Sequence, residues 1–253
     1  MEGHLEAGGH RLEYRLHPAH QASRPTLVFL HEGLGCISLW RDFPERLARA
    51  TGCRCLAYSR HGYGGSDPLT APRQPDYMHR EALTVLPEVL ARLEIVRPVL
   101  VGHSDGASIA LMHAARHDCA GIAVLAPHLL VETVTLAGIR QTVADFAEDD
   151  RIVRLGRYHR DPAATFRGWA DIWLSPDFRD WNIEAFLPEI RCPVLAIQGE
   201  EDEYATMLHL DRIAAAVPAP VQLLKLADCR HSPQRDQPEA VLAALEAWLD
   251  ELE

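Results

Sequence analysis

Five short and largely apolar runs, one of them broken by Arg54, restrict this chain to a narrow set of folds: Thr26–Leu30, Cys53–Tyr58, Val99–Val101, Gly121–Ala126 and Pro193–Ile197. Strands buried on both faces read this way, whereas a strand with one wet face alternates. A further strand is read at Val221–Leu226. Segments with helical spacing lie between them. In Trp40–Ala50 the residues Trp40, Phe43, Leu47 and Ala50 share a face and Gly52 stops the helix; Arg80–Leu93 contains Pro87, expected to kink it. Another helix is expected to follow Gly102–Gly106 and reach about His117. One more is expected near Tyr204–Ala216, and a last one at the end of the chain. Leu5–Leu16, with its Gly8-Gly9 pair, reads as a hairpin at a sheet edge. Strands alternating with helices predict a mostly parallel sheet with helices on both faces.

The rhythm breaks at Pro127. From His128 to Glu189 no buried-strand run occurs, and the segment carries Phe146, Tyr158, Phe166, Trp169, Trp173, Phe178 and Trp181 among many charges. It reads as a helical lid (128–189) inserted into a core made of 1–127 and 190–253. Composition adds exclusions. A net charge of -11 argues against nucleic acid and anionic membrane surfaces as partners. No apolar run is long enough to span a bilayer, and Met1–Leu16 has no apolar core of a secretory signal, so a cytoplasmic location is the expectation. Cys36, Cys53, Cys55, Cys119, Cys192 and Cys229 read as buried thiols of a reducing compartment, with Cys53 and Cys55 on one strand face. No metal and no cofactor is expected.

The third run ends in Gly102-His103-Ser104-Asp105-Gly106 and passes directly into a helix of small residues. Two glycines leave room for a turn that lifts the serine hydroxyl above the sheet. Alone the pattern is weak: chance supplies it in about one chain of this length in fifteen. A serine also needs a general base, an orienting acid and donors for an oxyanion. Gln198–Asp202 forms a loop after one strand, at the carboxyl edge where open α/β sheets carry their chemistry. After the last strand, His231 stands just before Ser232, a good N-cap, and Pro233, a good first helical residue.

With these pieces the chain resembles the α/β-hydrolase superfamily, in which serine, acid and histidine follow in that order. His31-Glu32-Gly33-Leu34-Gly35 is similar to the oxyanion loop after the third strand, and Arg60–Asp67 to the Gly-rich loop after the fourth. Asp202 fits the acid loop and His231 the terminal His-x-Pro turn. The resemblance implies an α/β-hydrolase fold with Ser104, Asp202 and His231 as catalytic residues. It also implies an oxyanion hole made by the backbone N–H groups of Gly33 and Asp105.

Two residues depart from the family pattern. Glu32 stands where a glycine is common, and Asp105 follows the nucleophile where an uncharged residue is usual. A carboxylate facing a developing oxyanion would oppose it. Both side chains are therefore expected to turn away, toward a cation or backbone donors. Asp105 as the nucleophile itself would move the flanking positions to His103 and Ala107, and the histidine would crowd the turn. Asp211 and Asp228 are alternative acids with a solvated or capping reading. His31 and His103 are expected beside the site, with Glu32, Trp169 and Trp173 (or Trp181) lining a pocket; His4, His10, His17 and His20 read as surface residues.

The leading function is hydrolysis of an ester, thioester or lactone of a small, partly apolar acid. Carbon–carbon bond hydrolysis of a ring-cleavage product would want a cationic clamp, for which Arg140, Arg151, Arg154, Arg157 and Arg167 are candidates. A proline iminopeptidase-like peptidase would want an acid such as Glu32 for a free amine. A slow-turnover ligand receptor would use the same fold. The partner is a small molecule in each case, and the oligomeric state stays open between monomer and homodimer.

Overall fold

Eight strands build one sheet in the computed structural model, which describes every residue except His20, Ala22, Asp149 and Glu253. The surface reading of His20 thus lies outside the described residues. The strands are β1 (Glu2–Ala7), β2 (His10–His17), β3 (Leu27–Leu30), β4 (Cys55–Tyr58), β5 (Val99–His103), β6 (Gly121–Leu125), β7 (Val194–Gly199) and β8 (Val221–Leu226). Their order is β1-β2-β4-β3-β5-β6-β7-β8. The hairpin β1–β2 turns at Gly8 and Gly9, both at positive φ, and β2 joins β4 antiparallel. Every other pairing is parallel.

Alternation within the buried strands sorts their residues onto two faces. Val28, Leu30, Leu56, Leu100, Ile122, Val124, Val194 and Ala196 face one cluster, and Leu27, Phe29, Cys55, Ala57, Val101, Ala123, Leu125 and Ile197 face the other. Helices α1 (Phe43–Thr51) and α10 (Pro238–Asp250) cover the second face, with Leu47, Leu245 and Trp248 in its core. The first face is covered by α4 (Asp105–Ala114) and a long helix over 77–92. That helix is α2 (Tyr77–Arg80), a π-helical turn at Glu81–Val85, and α3 (Leu86–Arg92). Pro87 thus widens the turn before it, because its ring lacks an N–H and crowds the carbonyl four residues back.

Residues 128–189 hold α5 (Thr133–Glu148), α6 (Arg151–Leu155) and α7 (Pro162–Leu174), with 3-10 turns at Pro176–Phe178 and Glu184–Glu189. Ile139, Trp169, Trp173, Phe178 and Trp181 belong to the same apolar cluster as the first face of the sheet. The inserted helices are therefore continuous with the core. Among the described residues, no helix is long and apolar enough to cross a membrane.

Several boundaries differ from expectation. The helix after Ser104 stops at Ala114, where the Arg116 N–H closes a tighter turn onto the His113 carbonyl. The segment near Tyr204 becomes helical only at α8 (Leu208–Ala216), since the Tyr204 and Ala205 N–H groups are bound to the Asp202 carboxylate. Cys53 precedes its strand, its N–H held by Thr51 Oγ1. Ser232 does begin α9 (Pro233–Asp236), yet its side chain makes no capping bond there.

Candidate active site

The turn between β5 and α4 forces Ser104 into φ 53°, ψ -116°. A non-glycine residue there stores about 1–3 kcal/mol of strain, held by the packing around it. The neighbours of the two glycines show why the turn closes. A Cβ on Gly102 would stand 2.3 Å from the Gly106 carbonyl oxygen, and one on Gly106 would stand 1.9 Å from that of Leu30. Both obstacles are backbone, which cannot step aside.

Two more loops reach the same edge. A Cβ on Gly199 would lie 2.0 Å from the Cys229 carbonyl oxygen, so the end of β7 runs against the loop that carries His231. The result is a continuous chain of polar contacts. Ser104 Oγ lies 3.0 Å from His231 Nε2, and His231 Nδ1 lies 2.8 Å from Asp202 Oδ1. Asp202 can only accept there, so the proton sits on Nδ1 and Nε2 is left to accept from the serine. Asp202 Oδ1 also accepts from the N–H groups of Tyr204 (2.9 Å) and Ala205 (3.2 Å), and Oδ2 from Gln198 Nε2 (3.2 Å). Burial opposes the charge of Asp202, but His231 and the Tyr204 N–H outweigh it and hold the carboxyl at about 2. Burial likewise opposes charge on His231, and Asp202 overcomes it, lifting the imidazole above 6.5.

Both anomalous carboxylates turn to other partners. Asp105 is 1 % exposed; Tyr77 Oη donates to its Oδ2 at 2.7 Å and Arg60 Nη1 lies 3.7 Å away. Tyr77 in turn accepts from Trp173 Nε1 at 3.1 Å. Glu32 lies 3.4 Å from His103 Nδ1. Burial pushes its carboxyl up, but the hydrogen bond and charge of His103 prevail and bring it down to about 2. His103 Nε2 donates to the His231 carbonyl at 2.8 Å, tying the Ser104 turn to the histidine loop.

A cavity of about 350 Å³ opens above Ser104. Glu32, Gly33, His103, Asp105, Trp169 and Trp173 line it, as do Leu34, Thr135, Ile139 and Tyr204. Trp169 packs directly on the loop 31–35: a Cβ on Gly33 would meet its ring at 2.2 Å. Trp181 instead stacks on Phe178 at 5.2 Å, inside the inserted helices.

Some expectations are corrected. His31 does not line the cavity; it is 0 % exposed, with Nδ1 donating to the Glu32 carbonyl at 2.7 Å and Nε2 accepting from the Arg60 N–H at 3.1 Å. Arg140, Arg151, Arg154, Arg157 and Arg167 do not line the cavity, whose lining arginines are Arg230 and Arg235. Asp211 pairs with Lys225 at 2.9 Å on the surface, and Asp228 is exposed at positive φ.

His128 had no assigned role, yet it lines the cavity with its ring 5.6 Å from that of His231. Burial, with the charges of His209 and His231, lowers it to about 3, so it is neutral at ordinary pH. Its position just past β6, at the carboxyl edge, is the sequence signal that could have marked it. His113 and His117 have the spacing of a metal pair and stack at 4.5 Å; among the described residues no third ligand completes such a group.

The family model described as the Alpha/beta hydrolase family matches residues 27–244. The chain belongs to the α/β-hydrolase family. It is 28% identical over 166 residues to human serine hydrolase BPHL, covering 62% of this chain and 56% of that protein. The chain thus spans about half the length of that curated relative. The enol-lactonase of Burkholderia xenovorans LB400 has the same fold at TM-score 0.76 and 21% identity, covering 98% of this chain and 100% of that one. The proline iminopeptidase of Mycobacterium smegmatis gives TM-score 0.72 and 20% identity, covering 100% and 99%. These two likenesses establish the architecture of this α/β hydrolase and nothing of its substrate.

Proposed function

We propose that this α/β hydrolase is a serine hydrolase that cleaves an ester, thioester or lactone of a small, partly apolar acid. The observation that carries the reading is the unbroken Ser104–His231–Asp202 chain, at 3.0 and 2.8 Å, opening into one cavity. In this reading His231 Nε2 takes the Ser104 proton as Oγ attacks the carbonyl carbon, and Asp202 stabilises the imidazolium. The carbonyl π electrons pass to oxygen, which accepts from the N–H groups of Gly33 and Asp105. Collapse expels the alcohol or thiol, protonated by His231, and leaves Ser104 acylated. A water deprotonated by His231 then repeats the sequence, releasing the acid.

Leu34, Ile139, Trp169 and Trp173 offer an apolar wall for the acyl group. The volume suits a compact acid, and residues 128–189 act as the lid that shapes it. Six free, buried cysteines fit a reducing, cytoplasmic setting.

The test is a panel of p-nitrophenyl esters, acyl-thioesters, lactones and amino-acid amides on wild type and Ser104→Ala. Rapid hydrolysis of short esters, lost in Ser104→Ala, with a fluorophosphonate adduct on Ser104, is the expected result. An adduct on another residue would falsify the nucleophile, and negligible turnover with tight ligand binding would favour the receptor.

A further inference from the structure

Arg60 is 2 % exposed and Asp105 1 %, so a guanidinium and a carboxylate are both buried directly behind the Ser104 turn. Such a pair seldom stabilises a fold better than apolar residues of the same volume. At 3.7 Å, without a close fork contact, this one is poorly placed to offset its own desolvation. Its other contacts show what it holds. Arg60 Nη2 donates to the carbonyl oxygens of His31 and Glu32, each at 3.0 Å. The Glu32 carbonyl also accepts from His31 Nδ1 at 2.7 Å and from the Gly35 N–H at 3.0 Å. His31 cannot shift its proton, because Nε2 is occupied accepting the Arg60 N–H.

The Glu32 carbonyl and the Gly33 N–H are two ends of one peptide unit. In a trans peptide they point in opposite directions. Three donors gather the carbonyl on the Arg60 side, so the N–H is aimed the other way, at the cavity that Gly33 lines. Charge-assisted bonding to a carbonyl also polarises its amide and strengthens the N–H as a donor. The same guanidinium faces Asp105, whose N–H is the other donor in the proposed reaction.

We infer that Arg60 is the positioning residue of the oxyanion hole, fixing the 32–33 peptide and setting a buried positive charge behind both donors. This rests on the serine-hydrolase reading above. It also gives Asp105 a purpose: it balances Arg60 in the ground state, with Tyr77 turning the carboxylate away from the hole.

The experiment uses Arg60→Lys, which keeps the charge but has one nitrogen where Arg60 uses two, Nη2 on both carbonyls and Nη1 beside Asp105. Rates with p-nitrophenyl acetate are normalised to fluorophosphonate-titrated sites. Affinities are measured for a short alkyl trifluoromethyl ketone, which forms an oxyanion on the serine, and for the corresponding methyl ketone, which does not. The expected result is a fall of about 10- to 100-fold in both kcat/KM and trifluoromethyl ketone affinity, with methyl ketone affinity changed less than about twofold. If Arg60→Lys does not fold, the apolar pair Arg60→Met with Asp105→Leu removes both buried charges and should show the same selective loss. Unchanged trifluoromethyl ketone affinity, or an equal fall for both ketones, overturns the inference. A wild-type protein that forms no ketone adduct on Ser104 refutes the serine-hydrolase reading instead.

Discussion

Replacing Asp202 by Asn should cost this site less than the same change costs where the amide is free to rotate. The oxygen that faces His231 is the one that also accepts from the Tyr204 and Ala205 N–H groups. Those two donors hold an oxygen in that place, so the amide NH₂ must take the other position, 3.2 Å from Gln198 Nε2. The His231 tautomer therefore survives, while the charge is lost and two donors face each other. Asp202 is lowered from 3.8 to about 2 despite burial. Lowering of that size is worth about 2.5 kcal/mol, roughly 60-fold in rate. With that charge gone, kcat/KM should fall about 50- to 500-fold. The pH–rate profile discriminates further. Asp202 lifts His231 above 6.5, so wild-type kcat/KM is expected to fall with acidity from above that value. In Asp202→Asn burial is unopposed by the carboxylate, and the acid limb moves to lower pH. Site-titrated rates with p-nitrophenyl acetate from about pH 5 to 9 measure both effects. A loss near 10⁴-fold or more would mean that the amide rotates and reverses the tautomer; normal activity would mean His231 works without Asp202.

Gly199→Ala should separate activity from stability, because its Cβ would push on the Cys229 carbonyl at the base of the histidine loop. Turnover should drop at least about tenfold while the thermal midpoint falls only several degrees; equal activity at saturating ester would refute the idea that this contact sets the Ser104–His231 spacing. Acid stability follows from Asp202 as well. Its folded value near 2 is below its ordinary 3.8, so its contribution is present above about pH 4 and lost as pH falls toward 2. Urea unfolding at pH 5 and near pH 2 should show wild type losing about 2 kcal/mol more than Asp202→Asn; equal losses would contradict the depressed value.

The strands and chemical loops were legible from residue order because each depends on local pattern. Uninterrupted apolar runs mark doubly buried strands, and Gly102 and Gly106 mark a turn whose tightness leaves no room for a Cβ. The acid and histidine were legible for a related reason: a parallel sheet brings its carboxyl ends to one edge, so residues just after successive strands become neighbours. The turned-away carboxylates were likewise expected on electrostatic grounds, since an ionised group facing the oxyanion would defeat it.

Which groups received those carboxylates was decided by packing between distant segments. Arg60 comes from the loop after β4, Tyr77 from α2 and Trp173 from α7, and no local pattern says that they meet behind Asp105. His31 shows the same limit from the other side: adjacent in sequence to cavity-lining Glu32, it folds behind the loop because its ring binds backbone at both nitrogens. Trp169 rather than Trp181 faces the serine because α7 seats it against Gly33, a surface that exists only once the sheet and the inserted helices have come together. Local sequence carries strand, turn and reactive group, each governed by a few neighbouring residues. The orientation of a peptide, the partner of a buried charge and the wall of a cavity depend on side chains far apart in the chain, and these are specified only when the core closes.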